Sequence, residues 1–200
     1  LIGVLAAGVS AVMALILGIC AATLGKKVDS AISFAIDTVM GIPHILLLIL
    51  ISYAMGKGLK GVIAGVALTH WTSLARLIRG EVMQLRESEY IQIAGKLGLG
   101  KWEIAKKHIV PHVLPQFIVG LVLLFPHAIL HESSITFLGF GLSTEQPAIG
   151  VILSESMRYL IMGKWWLAVF PGMMLVLTVV LFEKGGTALR QLLDPGSVHK

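Results

Sequence analysis

Apolar residues arrive along this chain in long blocks. Residues 1–24 carry no charge. At about 1.5 Å per residue, a helix of that length crosses a hydrocarbon core of about 30 Å. A second block covers residues 31–55, interrupted by Asp37, Pro43 and His44. The third, residues 61–77, opens with Gly61 and Gly65 at the small-xxx-small spacing that lets helix backbones approach closely. Residues 113–130 and 165–182 complete the set, the last led by Trp165 and Trp166 as interfacial anchors. Residues 149–161 read as a moderately polar helix between them. The pattern predicts an all-α fold: a polytopic transmembrane helical bundle of about five spans, one domain over residues 1–200.

Charge is confined to what remains. Hydrophobic residues make up 56% of the chain and charged residues 14%, against about 25% charged in soluble domains. Arg76, Arg79, Arg86, Lys96, Lys101, Lys106 and Lys107 share one segment, interleaved with Glu81, Glu87, Glu89 and Glu103. Basic residues collect in loops that stay inside, so this segment is placed in the cytoplasm. Alternation then puts the Lys26/Lys27 turn and the tail, residues 183–200, on the same side. The Lys57/Lys60 turn and residues 132–164 lie outside; these two lysines run against the charge rule and are outvoted. The net charge of +5 is accounted for by such loops, which excludes nucleic acid as a partner. Cys20, the single cysteine, cannot form an intrachain disulfide and reads as a packing residue. The chain starts inside an apolar block with no charged leader region, so upstream sequence is expected before Leu1.

The cytoplasmic segment, residues 80–112, has internal punctuation. A helical pattern runs from Tyr90 through Gln92 and Ala94 and stops at Gly98. It restarts at Trp102 and stops at Pro111. Glycine tolerates positive φ, and proline does not continue a helix interior. Two short amphipathic helices set at an angle outside the membrane are expected, a docking element for a groove on a partner.

These residues resemble the signature loop of permeases of binding-protein-dependent ABC importers, specifically the dipeptide/oligopeptide/nickel group. That loop reads Glu-Ala-Ala, three residues, Gly, nine residues, Ile-x-Leu-Pro. Ala94, Gly98 and Pro111 fall on its second Ala, its Gly and its Pro, while Gln92, Ile93, His108 and Val110 replace the other positions. Stretches beginning at Ala75, Ser134, Phe170 and Leu189 (the last closing on Asp194-Pro195) are similar to the same family, so the resemblance covers essentially the whole chain. It implies a type I ABC importer permease fold with one further helix before Leu1. It also implies an ATPase-coupling role for Gln92, Ala94, Gly98, Trp102 and Pro111, and alternating access driven by ATP bound elsewhere. The implied partners are a second homologous permease subunit, two ATP-binding subunits carrying ATP and Mg, an extracytoplasmic solute-binding protein and membrane lipid. The setting is the cytoplasmic (inner) membrane. Small peptides and nickel or other metal chelates both remain open as cargo.

Gly95 to Trp102 imitates a phosphate-binding loop, but Trp102 stands where a hydroxyl must reach magnesium and no strand precedes it. The chain is therefore expected to bind no nucleotide or other cofactor and to be no enzyme itself. His127 and His131 lie four apart on one helix face, followed by Glu132, with His44 beside Pro43. Ionisable groups within spans usually face a bundle interior or an aqueous path. His44, His127, His131 and Glu132 are thus candidates for a substrate or metal path, against the plainer reading of hydrogen bonds between helices; no metal is assigned. Asp37 is expected to pair with a basic residue near the cytoplasmic face, and the methionines Met157, Met162, Met173 and Met174 to pack. A membrane-embedded metal-dependent enzyme or a passive channel using His127, His131 and Glu132 is the rival reading. The former lacks a supporting H-E-x-x-H or G-x-S-x-G motif, and the latter leaves the cytoplasmic double helix without a purpose.

Overall fold

The computed structural model describes residues 2–193; Asp194 and Pro195, which close the last family-like stretch, lie outside them. Nine α-helices and one π turn are found among the described residues: α1 (Ile2–Thr23), α2 (Lys26–Gly41), α3 (His44–Ala54), α4 (Gly58–Glu87), α5 (Glu89–Lys96), α6 (Lys101–Ile104), the π turn (Ala105–Ile109), α7 (Val110–Phe137), α8 (Ile149–Leu160) and α9 (Trp166–Leu193). Four helices are long and apolar enough to cross a membrane, and the number becomes five if α2 and α3 count as one broken span.

The bundle is organised around α1 and α4. Ala7, Ala11, Ala14, Gly18 and Ala21 are buried on α1, spaced three or four apart so that they share a face. Opposite them α4 buries Trp71, Leu74, Ala75, Ile78 and Val82. The Ser10 hydroxyl donates to the Ala67 carbonyl at 2.9 Å. A Cβ added to Gly18 would lie 2.9 Å from the Ala75 carbonyl oxygen and 3.0 Å from Ile78 Cβ, so the backbones approach as small-residue packing in membranes requires.

Two ends can be told apart by their ties. At one end Arg79 pairs with Asp29 through two guanidinium nitrogens, Arg86 donates to the Ala22 carbonyl, and Arg76 meets Asp37 at 2.5 Å. Asp37 thus has the basic partner expected for it. At the other end the Ser52 hydroxyl donates to Phe140 O at 2.7 Å and Gly58 N–H to Gly141 O at 3.0 Å. Lys57 reaches Gly139 O at 3.4 Å and sits 5.1 Å from the Phe140 ring centroid. That local role gives Lys57 a structural reason to sit at this end of the bundle.

Several expected boundaries move. The second block is not one straight span: α2 and α3 are bent by 97° at residues 42–43, where proline cannot donate to the helix ladder and disfavours helical φ/ψ in the residue before it. The third helix does not stop at Leu77 but runs ten residues further to Glu87, because Ile78, Val82 and Leu85 continue its buried stripe while the charges face out. The loop drawn as residues 80–112 therefore shrinks to α5, α6 and the π turn. Pro111 is a further correction, for it does not stop a helix. The π turn passes directly into α7, with Val110 N–H bonded to Ala105 O; the bonding register has already shifted there, so the missing proline N–H falls at a junction rather than inside a regular ladder. Likewise residues 183–193 are no loose tail but the end of α9.

Packing this close at Gly18 makes a size prediction. Gly18→Leu should destabilise the bundle by about 1–3 kcal/mol through overpacking, read as a lower thermal midpoint in detergent. An unchanged midpoint would contradict the α1–α4 approach.

Candidate functional site: a histidine-lined cavity and an exposed elbow

The break before α3 delivers His44 to the bundle interior at the first position of a helix. His70 comes from α4, twelve residues in from Gly58, or about 18 Å along the axis. His131 comes from α7, six residues before its C-terminal end. The three rings meet, with centroid separations of 4.7 Å for His44–His70, 4.5 Å for His44–His131 and 4.9 Å for His70–His131. One ring nitrogen from each can be chosen so that all three lie within 4.8 Å of one another.

Hydrogen bonds orient His70. Its Nδ1 lies 3.1 Å from the Val66 carbonyl oxygen and 3.0 Å from Thr69 Oγ1. A carbonyl only accepts, so Nδ1 carries the proton and Nε2 presents a lone pair. That Nε2 is buried without a partner, as is Nε2 of His44. His70 is 8% exposed.

The histidines form one wall of a cavity of about 740 Å³. Its lining runs from Pro43, His44 and His131 past Thr69, Gln116 and Leu123 to Leu77 and Arg190. It lies between the α2–α3 break, α4 and α7. His127 lines the same cavity one turn from His131, with Nδ1 donating to Leu123 O at 2.8 Å, but stands outside the convergent three. Glu132 is not brought to the cluster. Its carboxylate accepts from Thr136 Oγ1 at 2.9 Å and Ser133 Oγ at 3.3 Å, and Thr136 Oγ1 in turn accepts from Leu142 N–H at 3.1 Å. That chain fastens the residues following α7. His70 was absent from the sequence-derived candidates, although a lone imidazole inside an apolar block was signal enough to include it.

The second site is the elbow between α5 and α6. Leu99 N–H bonds to Ala94 O at 3.2 Å and Gly98 N–H to Gly95 O at 3.1 Å. This is a Schellman ending with Gly98 as its left-handed residue, φ +91°. The Ala94-to-Gly98 spacing is the spacing of that motif. Ala94 is buried, whereas Gln92 is exposed with its amide donating to Glu87 O at 3.1 Å. Leu97 is 77% and Trp102 81% exposed, so two large apolar side chains flank the turn on its outer surface. Beneath them, Ile91, Ala105 and Ile109 join the same core as Leu74, Ile78 and Leu85 of α4.

A broken span, a mainly apolar cavity between helices with histidines on one wall and an elbow at the basic end define a polytopic helical membrane protein. The chain belongs to the family of binding-protein-dependent transport system inner membrane components, which it matches over residues 14–197. It is 32% identical to the dipeptide transport system permease protein DppC of Bacillus subtilis, over 97% of this chain and 61% of that one. It is 31% identical to the nickel transport system permease protein NikC of Escherichia coli, over 92% of this chain and 66% of that one. The chain thus spans roughly three fifths to two thirds of the length of these relatives. A solved structure of the MetNI methionine ABC transporter superposes with a TM-score of 0.78 at 16% identity, covering 96% of this chain and 91% of that one. The fold is that of an ABC transporter permease.

The cluster geometry is directly testable. With Cys20→Ser removing the native thiol, His44→Cys combined with His131→Cys should crosslink through a mercuric ion or a short bis-maleimide. Failure to crosslink would mean that the α2–α3 break does not bring residue 44 to α7.

Proposed function

We propose that this chain is a permease subunit of an ATP-driven ABC importer in the cytoplasmic membrane, with the histidine-lined cavity as part of its translocation path. The observation that carries the reading is the family match over residues 14–197, and the exposed elbow supports it. In this reading a solute-binding protein delivers cargo from outside, and a second, homologous permease completes the path. Two ATP-binding subunits receive the elbow through Leu97 and Trp102 and hold the ATP and Mg. This chain itself performs no chemistry. The turn of Glu132 toward Thr136 removes the carboxylate that a membrane-embedded hydrolase would set beside the histidines.

Force transfer then depends on the angle at Gly98. No atom lies within 4 Å of an added Cβ there, so a substitution acts through the backbone: a side chain at positive φ costs roughly 1–2 kcal/mol. Gly98→Val should cut ATP-driven uptake more than tenfold while the subunit still inserts and folds. Trp102→Ala should weaken copurification of the ATPase. Unchanged uptake in the first variant would count against coupling through the elbow.

A further inference from the structure

Three imidazoles from three separate helices bring ring nitrogens within 4.8 Å of one another, and two of the rings each carry a buried Nε2 with no hydrogen-bond partner. The proton of His70 is committed to Val66 O, which leaves its Nε2 as a bare donor in the interior. His44 Nε2 is equally without a partner. The rings meet edge-on or tilted, and no hydrogen bond joins them among the described residues. Neutral imidazoles brought this close offer lone pairs that a cation among them would satisfy. We propose that His44, His70 and His131 form a coordination site for a divalent transition-metal ion, and that such an ion, bare or in a small chelate, is the cargo passing through the cavity.

The donor set selects the class of ion. Three neutral imidazoles with no carboxylate suit nickel, cobalt, copper and zinc, whereas magnesium, calcium and manganese prefer oxygen. Metal–nitrogen bonds of about 2.1 Å set tetrahedral nitrogen–nitrogen distances of ~3.4 Å. Nitrogens already within 4.8 Å of one another need to close by at most about 1.4 Å to reach that geometry, which is within the range of ring rotation. The protein supplies three ligands, so at least one coordination position faces the cavity. An open position permits exchange, where a closed four-ligand cage holds its ion as a structural element.

The location also provides for release. His44 follows the 97° break directly, while His70 and His131 belong to the long helices α4 and α7. Any change of angle at residues 42–43 alters the distance from His44 to the other two. Three ligands then become two, and affinity falls as the path opens. His127, one turn along α7 toward Arg190 in the same cavity, is positioned to take the ion next.

This inference rests on the transport reading, and the test separates the two. Co²⁺ is titrated into the purified permease complex in detergent, and its visible d–d absorption is followed. One ion per chain with a tetrahedral spectrum is expected. His70→Gln and His131→Gln should each weaken binding at least tenfold, and His112→Ala, outside the cavity, should leave it unchanged. In proteoliposomes the same glutamine variants should lose Co²⁺ and Ni²⁺ uptake while nucleotide binding by the complex persists. Absence of a Co²⁺ spectrum, or a spectrum indifferent to both glutamine variants, would overturn the metal site. If uptake of another solute is still abolished by Gly98→Val, the transport reading survives that loss. Co²⁺ bound through the histidines with uptake untouched by Gly98→Val would instead retain the site and remove the coupling mechanism.

Discussion

Close approach of α1 to α4 is the contact on which the other helices depend. Lipid tails are as apolar as leucine, so burying apolar surface gives little drive for helix association; dispersion between backbones brought close by small residues has to supply it. The alanines of α1, with Ser10 and Gly18 among them, permit that approach. Once α4 is fixed, everything functional is placed by it. Its first turn receives α3, since a Cβ on Gly61 would meet Ser52 O at 2.6 Å. Its middle presents His70. Its last turns hold Asp29 and Ala22 through Arg79 and Arg86 and carry Leu85 into the elbow's core.

The outer end is fastened differently, by polar groups rather than by close backbones. α7 ends with Phe140 N–H on Ile135 O and Gly139 N–H on Thr136 O, so Gly139, at φ +82°, reverses the chain beside the turn between α3 and α4. Ser52, Lys57 and Gly58 then bond to carbonyls of residues 139–141. Glu132 and Thr136 complete the knot from within α7. His131 lies next to this fastened region, whereas His44 lies directly at the α2–α3 bend.

Length and apolarity made the spans legible in the sequence, because a bilayer imposes both. The first block coincides with α1, and residues 149–161 with α8. The extension of α4 to Glu87 is masked in the sequence by its charges, although Leu74, Ile78, Val82 and Leu85 recur every three or four residues through the charged stretch. Pro43 was seen as an interruption, yet a 97° turn depends on what α4 and α7 offer to pack against, and no local pattern encodes that. For the site, Gly98 was readable as a turn, since the glycine has a conformational reason. Glu132 was not readable as structural, because adjacency to His131 in sequence looks the same whether a carboxylate faces the ring or the hydroxyl of Thr136 one turn on. His70 stood out less because it has no histidine near it in sequence; its neighbours His44 and His131 lie 26 residues before it and 61 after it.

Motion at the elbow has a short material route to the cavity. Ile91 of α5 and Ala105 and Ile109 of the π turn share one core with Val113 of α7 and Leu74, Ile78 and Leu85 of α4. Interiors packed this way transmit displacement instead of absorbing it. Leu74 is both a member of that core and a wall of the cavity, and Gly120 of α7 lies directly against it. In the proposed coupling, a push on Leu97 and Trp102 would act on α4 and α7, the two helices that carry His70 and His131. α3 packs on the first turn of α4 through Gly61 and Ser52, so the bend at residues 42–43 sets α2, not α3, apart from that packing. A change of angle at that bend would alter where His44 sits against the other two rings, as a site that differs between two states of a bundle requires.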